Sequence, residues 1–125
     1  MADVAYPNAP MPPGIRSRFA DNGNGLTMHY LEAGWEGAAE KPLVLLLHGF
    51  PELAYSWRKV MPTLAEADYH VIAPDQRGYG RTLGWDPGYD GDLASYHVFN
   101  LVRDILGLLH ALDQGETALV AGHDF

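Results

Sequence analysis

The sequence has no cysteine, and this absence excludes disulfides, thiolate metal ligands and a cysteine nucleophile together. The absence also fits a reducing compartment. Basic residues are scarce as well, because 8 Lys and Arg stand against 16 Asp and Glu, and the resulting net charge of −8 repels a phosphate backbone. We therefore expect no nucleic-acid partner, and the scattered histidines and carboxylates predict neither a metal site nor a cofactor.

Long apolar runs are missing too. The longest aliphatic run, Leu43–Leu47, has five residues, whereas a helix needs about 20 to cross a bilayer. The N-terminus does not carry a basic segment followed by an apolar one, so no secretory signal is predicted. These absences favour a soluble, cytoplasmic protein without membrane contacts. At 125 residues, 47% of them hydrophobic, the length alone permits one self-sufficient core.

The first third of the chain predicts an arm, a hairpin and a buried strand. Four of the nine prolines fall within residues 1–14, which favours an extended N-terminal arm in front of a domain over residues 15–125. Two strand-like runs, 15–20 and 26–31, flank a segment rich in asparagine and glycine and predict an antiparallel hairpin. The run Leu43–Leu47 is apolar without alternation, so it predicts a strand covered on both faces in the middle of a sheet.

The rest of the chain alternates between helical and strand-like patterns. It predicts a helix over 55–66 in which Pro62 would introduce a kink, a strand over 69–73, a glycine-rich loop over 76–94, an amphipathic helix between a Ser95 cap and Gly115, and a strand over 117–121. The apolar stripe of the second helix consists of Val98, Val102, Ile105, Leu109 and Leu112.

This alternation is typical of a mostly parallel sheet with helices on both faces. In such sheets, ligands bind beyond the carboxyl ends of the strands. Segments 48–52, 75–80 and 122–125 follow the three predicted strands directly, and we expect them to line one crevice. Within the second segment, we expect Arg77 to pair with a carboxylate and the whole segment to shape a loop.

Three motifs in this order carry a family resemblance. They are His48-Gly49-Phe50-Pro51-Glu52 followed by Ser56-Trp57-Arg58, then residues 73–80 with the sequence Ala-Pro-Asp-Gln-Arg-Gly-Tyr-Gly, then Gly122-His123-Asp124-Phe125. Together they resemble the epoxide hydrolase branch of the α/β-hydrolase superfamily over residues 15–125. The resemblance implies the N-terminal half of an α/β-hydrolase fold, a mostly parallel sheet with flanking helices and an N-terminal antiparallel hairpin.

The resemblance implies a nucleophile elbow at the last motif. Such elbows have the form Gly-x-nucleophile-x-Gly on a tight strand-to-helix turn, so Gly122 is the first glycine, His123 the intervening residue and Asp124 the nucleophile. A carboxylate that attacks a saturated carbon forms an ester, which water can cleave at the carbonyl. A serine would form an ether without that exit. The implied activity is opening of an epoxide to a vicinal diol through an aspartyl ester.

The resemblance also implies an oxyanion hole. The backbone N–H groups of Phe50 and Phe125 would face the oxyanion that develops on the Asp124 carbonyl. His48 and Gly49 would shape the loop before Phe50, and Pro51 would direct the Phe50 peptide. The substrates implied are a small epoxide and water.

Other interpretations of these residues stay open. Taken alone, Asp124 at the end of an apolar strand is a common turn-capping carboxylate. We interpret His48 and His123 as structural residues, because His123 and Asp124 are neighbours whose side chains diverge. A haloalkane or haloacid dehalogenase would use the same aspartate, and a non-catalytic α/β-hydrolase-like fragment would serve as a binding module.

The family places its histidine base, its relay acid and two lid tyrosines after the elbow, and none of them can be assigned to a residue here. The lid and the C-terminal core would therefore come from a further portion of the hydrolase, which we expect to be the partner of this chain. Without it, the strand ending at Ala121 would be an uncovered edge. We predict that the chain alone is inactive and poorly folded.

Overall fold

A computed structural model describes residues 11–23, 25–36, 41–49, 53–84, 98–112 and 119–123. The elements are strands β1 (Ile15–Asp21), β2 (Thr27–Ala33) and β3 (Leu43–Leu47), a 3-10 helix (Ala54–Trp57), helix α1 (Met61–Glu66), strand β4 (His70–Pro74), helix α2 (Val98–Ala111) and strand β5 (Leu119–Gly122). No helix in the described ranges is long and apolar enough to cross a membrane.

Strands β1 and β2 form the predicted antiparallel hairpin. Their register runs from Ile15 opposite Ala33 to Asp21 opposite Thr27. The turn is closed by the N–H of Asn22, which donates to the carbonyl of Leu26 at 3.0 Å. The segment rich in asparagine and glycine therefore forms the hairpin turn that its composition predicts.

The five strands form one mixed sheet in the order β1-β2-β4-β3-β5. Strand β2 pairs antiparallel with β4, while β3 pairs parallel with both β4 and β5. The predicted fold class and the inner position of β3 are both confirmed. Among the described strands, β4, β3 and β5 form the parallel part of the sheet. The hairpin of β1 and β2 extends it by antiparallel pairing with β4.

Both faces of β3 are buried, and this explains why apolar and polar residues do not alternate in its sequence. Val44 and Leu46 belong to a cluster with Met61 of α1, whereas Leu43 and Leu45 belong to a cluster with Leu108 of α2. Helices therefore cover both faces of the sheet, as predicted. Full burial of each such side chain stabilises the fold by about 1.5–3 kcal/mol.

The single helix predicted over 55–66 is wrong. The structure has a 3-10 helix over Ala54–Trp57 and a separate α1 over Met61–Glu66, with Pro62 in the first turn of α1. Proline lacks an N–H that the first turn would leave unpaired in any case, and its fixed φ suits that position. Pro62 therefore begins a helix instead of kinking one.

The predicted apolar stripe of α2 is confirmed only in part. Packing against the core is confirmed for Ile105, Leu109 and Leu112. Val102 is 50% exposed, while Leu108 and Asp104 are buried. The Arg77 guanidinium donates two hydrogen bonds to the Asp104 carboxylate, at 2.8 and 2.9 Å, and this pairing makes burial of the charge tolerable. The pattern of apolar residues alone does not reveal that the buried face contains a carboxylate.

Several predictions lie outside the described residues. They concern most of the arm over 1–14, the second half of the loop over 76–94, the Ser95 cap and Gly115. At the described end of the arm, Met11 packs against the core cluster that contains Ile15.

Candidate active site

The carboxyl ends of β4, β3 and β5 meet, as expected. Leu47 at the end of β3 lies opposite Gly122 at the end of β5, and the His123 N–H donates to the Leu47 carbonyl at 2.9 Å. On the other side of β3, Gln76 follows β4 and contacts His48. The residues that follow β4 and β5 therefore both contact the end of β3 or the residue after it.

His48 is buried, and its partners assign its tautomer. The Gln76 N–H donates to His48 Nε2 at 3.0 Å, so this nitrogen carries no proton. The proton therefore lies on Nδ1, which donates to the Gly49 carbonyl at 3.0 Å. The side-chain amide of Gln76 also donates to the His48 carbonyl at 2.7 Å. Both ring nitrogens are occupied in holding the loop, which agrees with the structural role predicted for His48.

Asp75 is a second anchor beneath the same loop. Its Oδ1 accepts the Ala54 N–H at 2.9 Å, and its Oδ2 accepts His29 Nδ1 at 2.6 Å and the Arg81 N–H at 3.1 Å. Burial alone would raise the pKa of this carboxyl, but the hydrogen bonds from His29 and the backbone outweigh it and hold the pKa below its usual value. Asp75 is therefore a carboxylate that joins β2, the 3-10 helix and the loop after β4.

Gly80 makes room for that carboxylate. Its φ is +54°, in the left-handed region, and a Cβ added there would overlap the Asp75 side chain. Glycine is required on both counts. The loop over 75–80 is also held to α2 through Arg77 and Asp104. Both predictions for this segment, a shaped loop and a carboxylate partner for Arg77, are confirmed.

Sequence reasoning missed the role of Asp75 and Gln76 as anchors of the His48 loop. The available signal was a polar pair directly after a buried strand, followed by two glycines two residues apart. That signal indicates a tight loop at a strand end. It does not show which backbone groups the side chains bind, because Ala54 is 21 residues away and His29 is 46 residues away.

On the β5 side, only the start of the last motif is described. Gly122 and His123 are exposed, and a Cβ added to Gly122 would meet none of the described atoms within 4 Å. The described residues therefore do not explain why glycine stands at 122. Phe50, Pro51, Asp124 and Phe125 lie outside the described residues, and their roles stay predictions.

The described part of the chain contains no group of three or more His, Asp and Glu side chains that could hold a metal ion. The polar groups described at the strand ends are backbone donors, the His48 imidazole and the Asp75 carboxylate.

Comparison with known proteins gives the family. A profile described as alpha/beta hydrolase fold matches residues 42–125. Epoxide hydrolase A of Mycobacterium tuberculosis is 46% identical over 102 residues, which are 82% of this chain and 29% of that protein. The AB hydrolase superfamily protein YfhM of Bacillus subtilis is 44% identical over 113 residues, which are 90% of this chain and 36% of that protein. The chain thus spans about a third of the length of these relatives.

Solved structures agree with these relatives. The epoxide hydrolase VrEH1 from Vigna radiata matches with a TM-score of 0.71 and 40% identity, over 89% of this chain and 32% of that one. Epoxide hydrolase A from Mycobacterium thermoresistibile matches with a TM-score of 0.72 and 41% identity, over 88% and 31%. These comparisons confirm the resemblance to the epoxide hydrolase branch and the fold class.

Proposed function

The chain belongs to the α/β hydrolase family, and from that membership we propose that it carries the nucleophile and the oxyanion loop of an epoxide hydrolase. Its domain would begin near residue 15, after the arm over 1–14. The observation that carries the proposal is the contact between the ends of β3 and β5, where the His123 N–H donates to the Leu47 carbonyl. This contact joins the segment that precedes Phe50 in the sequence to the segment that precedes Asp124.

In the first step, a carboxylate oxygen of Asp124 attacks one epoxide carbon. A bond forms between that oxygen and the carbon, the epoxide C–O bond breaks, and the epoxide oxygen takes a proton from an acid. By the family pattern, that acid is a lid tyrosine of the C-terminal portion. The product of this step is a hydroxyalkyl ester of Asp124.

In the second step, water attacks the carbonyl carbon of the ester, and a histidine of the C-terminal portion takes its proton. The oxyanion on the former Asp124 carbonyl would accept the N–H groups of Phe50 and Phe125. Loss of one such donor typically costs about 2.7–4 kcal/mol of transition-state stabilisation. Collapse of the intermediate releases the diol, whose departing oxygen takes the proton of the newly formed carboxyl group. The histidine then returns its proton to the lid tyrosinate, so the Asp124 carboxylate and both acid–base groups are restored and no cofactor is consumed.

The described residues have a definite part in this scheme. His48 Nδ1–H holds the Gly49 carbonyl, and a trans peptide bond directs its N–H away from its carbonyl. The N–H of that same peptide belongs to Phe50. His48, which is itself held by Gln76, would therefore set the direction of the first oxyanion donor, with Pro51 restricting the peptide from the other side.

The test uses the completed domain, which we define as this chain joined to the C-terminal portion that its relatives carry. We expect Asp124→Asn to abolish steady diol formation from a small epoxide, because an amide oxygen is a poor nucleophile. Asp21→Asn is the matched control, since Asp21 is exposed at the end of β1 and its change should leave turnover unaltered. Unchanged turnover of the epoxide by D124N would contradict the proposal. So would release of halide from a haloalkane by a completed domain that forms no diol from the epoxide.

A further inference from the structure

Ser17, His29 and Asp75 form a hydrogen-bonded chain on β1, β2 and the end of β4. Ser17 Oγ lies 2.5 Å from His29 Nε2, and His29 Nδ1 lies 2.6 Å from Asp75 Oδ2. The side chains of His29 and Asp75 are buried, whereas Ser17 is exposed to solvent. A buried imidazole and carboxylate therefore stand directly behind the side chain of an exposed residue.

The protons in this chain follow from its partners. Asp75 is a carboxylate and can only accept, so His29 Nδ1 carries a proton and donates to it. When the ring is neutral, Nε2 is an acceptor and the Ser17 hydroxyl donates to it. This order of donors and acceptors is the one that activates serine in hydrolases, where the carboxylate fixes the tautomer and stabilises the imidazolium that forms.

The histidine is held by its backbone as well as by its ring. The His29 N–H donates to Thr82 Oγ1 at 3.0 Å, and the His29 carbonyl accepts the Asp75 N–H at 2.8 Å. Because both ring nitrogens of His29 already make hydrogen bonds, the ring loses little further rotational freedom when it takes up a proton. Such preorganisation is characteristic of a general base.

The edge of the sheet supplies donors beside Ser17. The N–H and the carbonyl of His29 both point towards the β4 side of β2. This direction alternates along an antiparallel strand, so the backbone groups of Met28 and Tyr30, the residues on either side of His29, point towards β1. Through the register of the hairpin, the backbone groups of Ser17 and Phe19 then face away from β2. Because β1 is an edge strand among the described strands, these N–H groups face away from every described strand, and an oxyanion at Ser17 could accept them.

The charged groups around His29 favour the same chemistry. Asp75 would neutralise the imidazolium. The guanidinium of Arg81 lies 5.5 Å from the centre of the Phe19 ring, and that ring lies 5.1 Å from the His29 ring. The Arg81 cation therefore lies beside the Phe19 ring, which in turn lies beside His29.

We propose that Ser17 is an activated nucleophile, a second reactive site separate from Asp124, which accepts acyl and phosphonyl groups. With a fluorophosphonate, a bond forms between Ser17 Oγ and phosphorus, the phosphorus–fluorine bond breaks, and fluoride leaves with the electron pair. The Ser17 hydroxyl proton passes to His29 Nε2 and from there to water. The site needs no metal and no redox partner, and it does not rest on the function proposed for Asp124.

The test is labelling of the 125-residue chain with an alkyl fluorophosphonate, followed by peptide mass spectrometry. Ser56 is an internal control, because it is also exposed but no histidine bond to it is seen among the described contacts. General base catalysis contributes about 10²–10⁴-fold, so we expect Ser17 to be labelled about 100-fold faster than Ser56. We also expect this preference to disappear in concentrated urea, and Ser17→Ala to carry no label in that peptide.

A second measurement uses the absence of cysteine, since each of Ser17→Cys and Ser56→Cys then contains a single thiol. An ordinary thiol has a pKa of about 8.5. A thiol beside His29 should pass its proton to the imidazole and be alkylated by iodoacetamide at least about tenfold faster at pH 6.5 than the control thiol. The same peptide-resolved comparison in the completed domain covers the case in which the 125-residue chain alone does not hold the fold.

Equal labelling of Ser17 and Ser56 in the completed domain, together with equal alkylation of the two thiols, would overturn the proposal. The Ser17–His29 contact would then be a structural hydrogen bond only. Selective labelling of Ser17 would support it whether or not the completed domain hydrolyses epoxides, so the two proposals fail separately.

Discussion

The two sides of β3 are held in different ways. Towards β4, the loop that begins at His48 rests on buried polar side chains, and Asp75 and His48 each bind backbone groups of other segments. Towards β5, the contact is made by strand pairing and one further backbone hydrogen bond. Leu119 and Val120 of β5 are 52% and 53% exposed. Among the described residues, the side that would direct the oxyanion donor is therefore anchored by side chains, whereas the side that leads to Asp124 is joined to β3 by strand pairing.

The largest expected difference separates Leu45 on β3 from Leu119 on β5. Leu45→Ala should lower the free energy of unfolding by about 2–5 kcal/mol, because it leaves a cavity between the sheet and α2. Leu119→Ala should change it by about 0.5 kcal/mol or less, because the side chain is half exposed. Urea denaturation of both variants checks this, and because the chain alone is expected to be poorly folded, the unaltered 125-residue chain must first show a cooperative unfolding transition. A loss at Leu119 as large as that at Leu45 would show that β5 is not the weakly held side.

The next effect concerns the polar anchor below His48. Gly80→Ala introduces a side chain at a positive φ and a Cβ that overlaps the Asp75 carboxylate. Gly23→Ala is the matched control, since its φ is +78° but its added Cβ meets nothing within 4 Å. Backbone strain of about 1–3 kcal/mol is common to both changes. We expect G80A to cost clearly more than G23A in the unfolding free energy, and equal costs would mean that Asp75 moves freely.

The smallest expected effect is a pH dependence of the unfolding free energy, which comes from the contact of Glu32 on β2 with His70 on β4. Burial would raise the pKa of Glu32, but hydrogen bonds from His70 Nε2 at 2.6 Å and Arg16 Nε at 2.8 Å outweigh it and hold the pKa below its usual value. The ionised Glu32 therefore stabilises the fold above its unfolded pKa of about 4.3, and this contribution is lost as the pH falls through the lower folded value.

Glu32→Gln removes that titration. Urea midpoints measured from pH 6 down to pH 3 should therefore fall less steeply for E32Q than for the unaltered chain, with the difference confined to the acid end. Glu66, an exposed residue at the end of α1, offers the control, since Glu66→Gln should leave the slope unchanged. Parallel curves for E32Q and the unaltered chain would contradict this account of Glu32.

Local patterns predict the parts of the fold that local chemistry decides. The asparagine and glycine of the hairpin turn, the unbroken apolar run of β3 and the polar residues after each strand are signals within a few residues. They correctly predict the hairpin, the buried strand and the meeting of the strand ends. Arg77 is predictable in the same way, because a cation beside a buried strand end needs a carboxylate.

The remaining features depend on residues that are far apart in the chain. The buried face of α2 includes Asp104 because Arg77, 27 residues away, donates two hydrogen bonds to it. Ser17 and His29 meet only through the register of the hairpin, and Asp75 joins them only because β4 pairs with β2. No period or spacing in the sequence encodes these partners, so the anchors of the His48 loop and the Ser17 chain become visible only in three dimensions.

The most direct test of the central proposal follows the oxygen atoms through one turnover of the completed domain in water enriched in oxygen-18. If water attacks the ester carbonyl, the label enters the Asp124 carboxylate and the first diol carries none of it. Peptide mass spectrometry of the Asp124 peptide and of the diol after a single turnover measures both. We predict a gain of one oxygen-18 at Asp124 and an unlabelled diol, whereas a labelled first diol with an unlabelled Asp124 would contradict a covalent aspartyl ester.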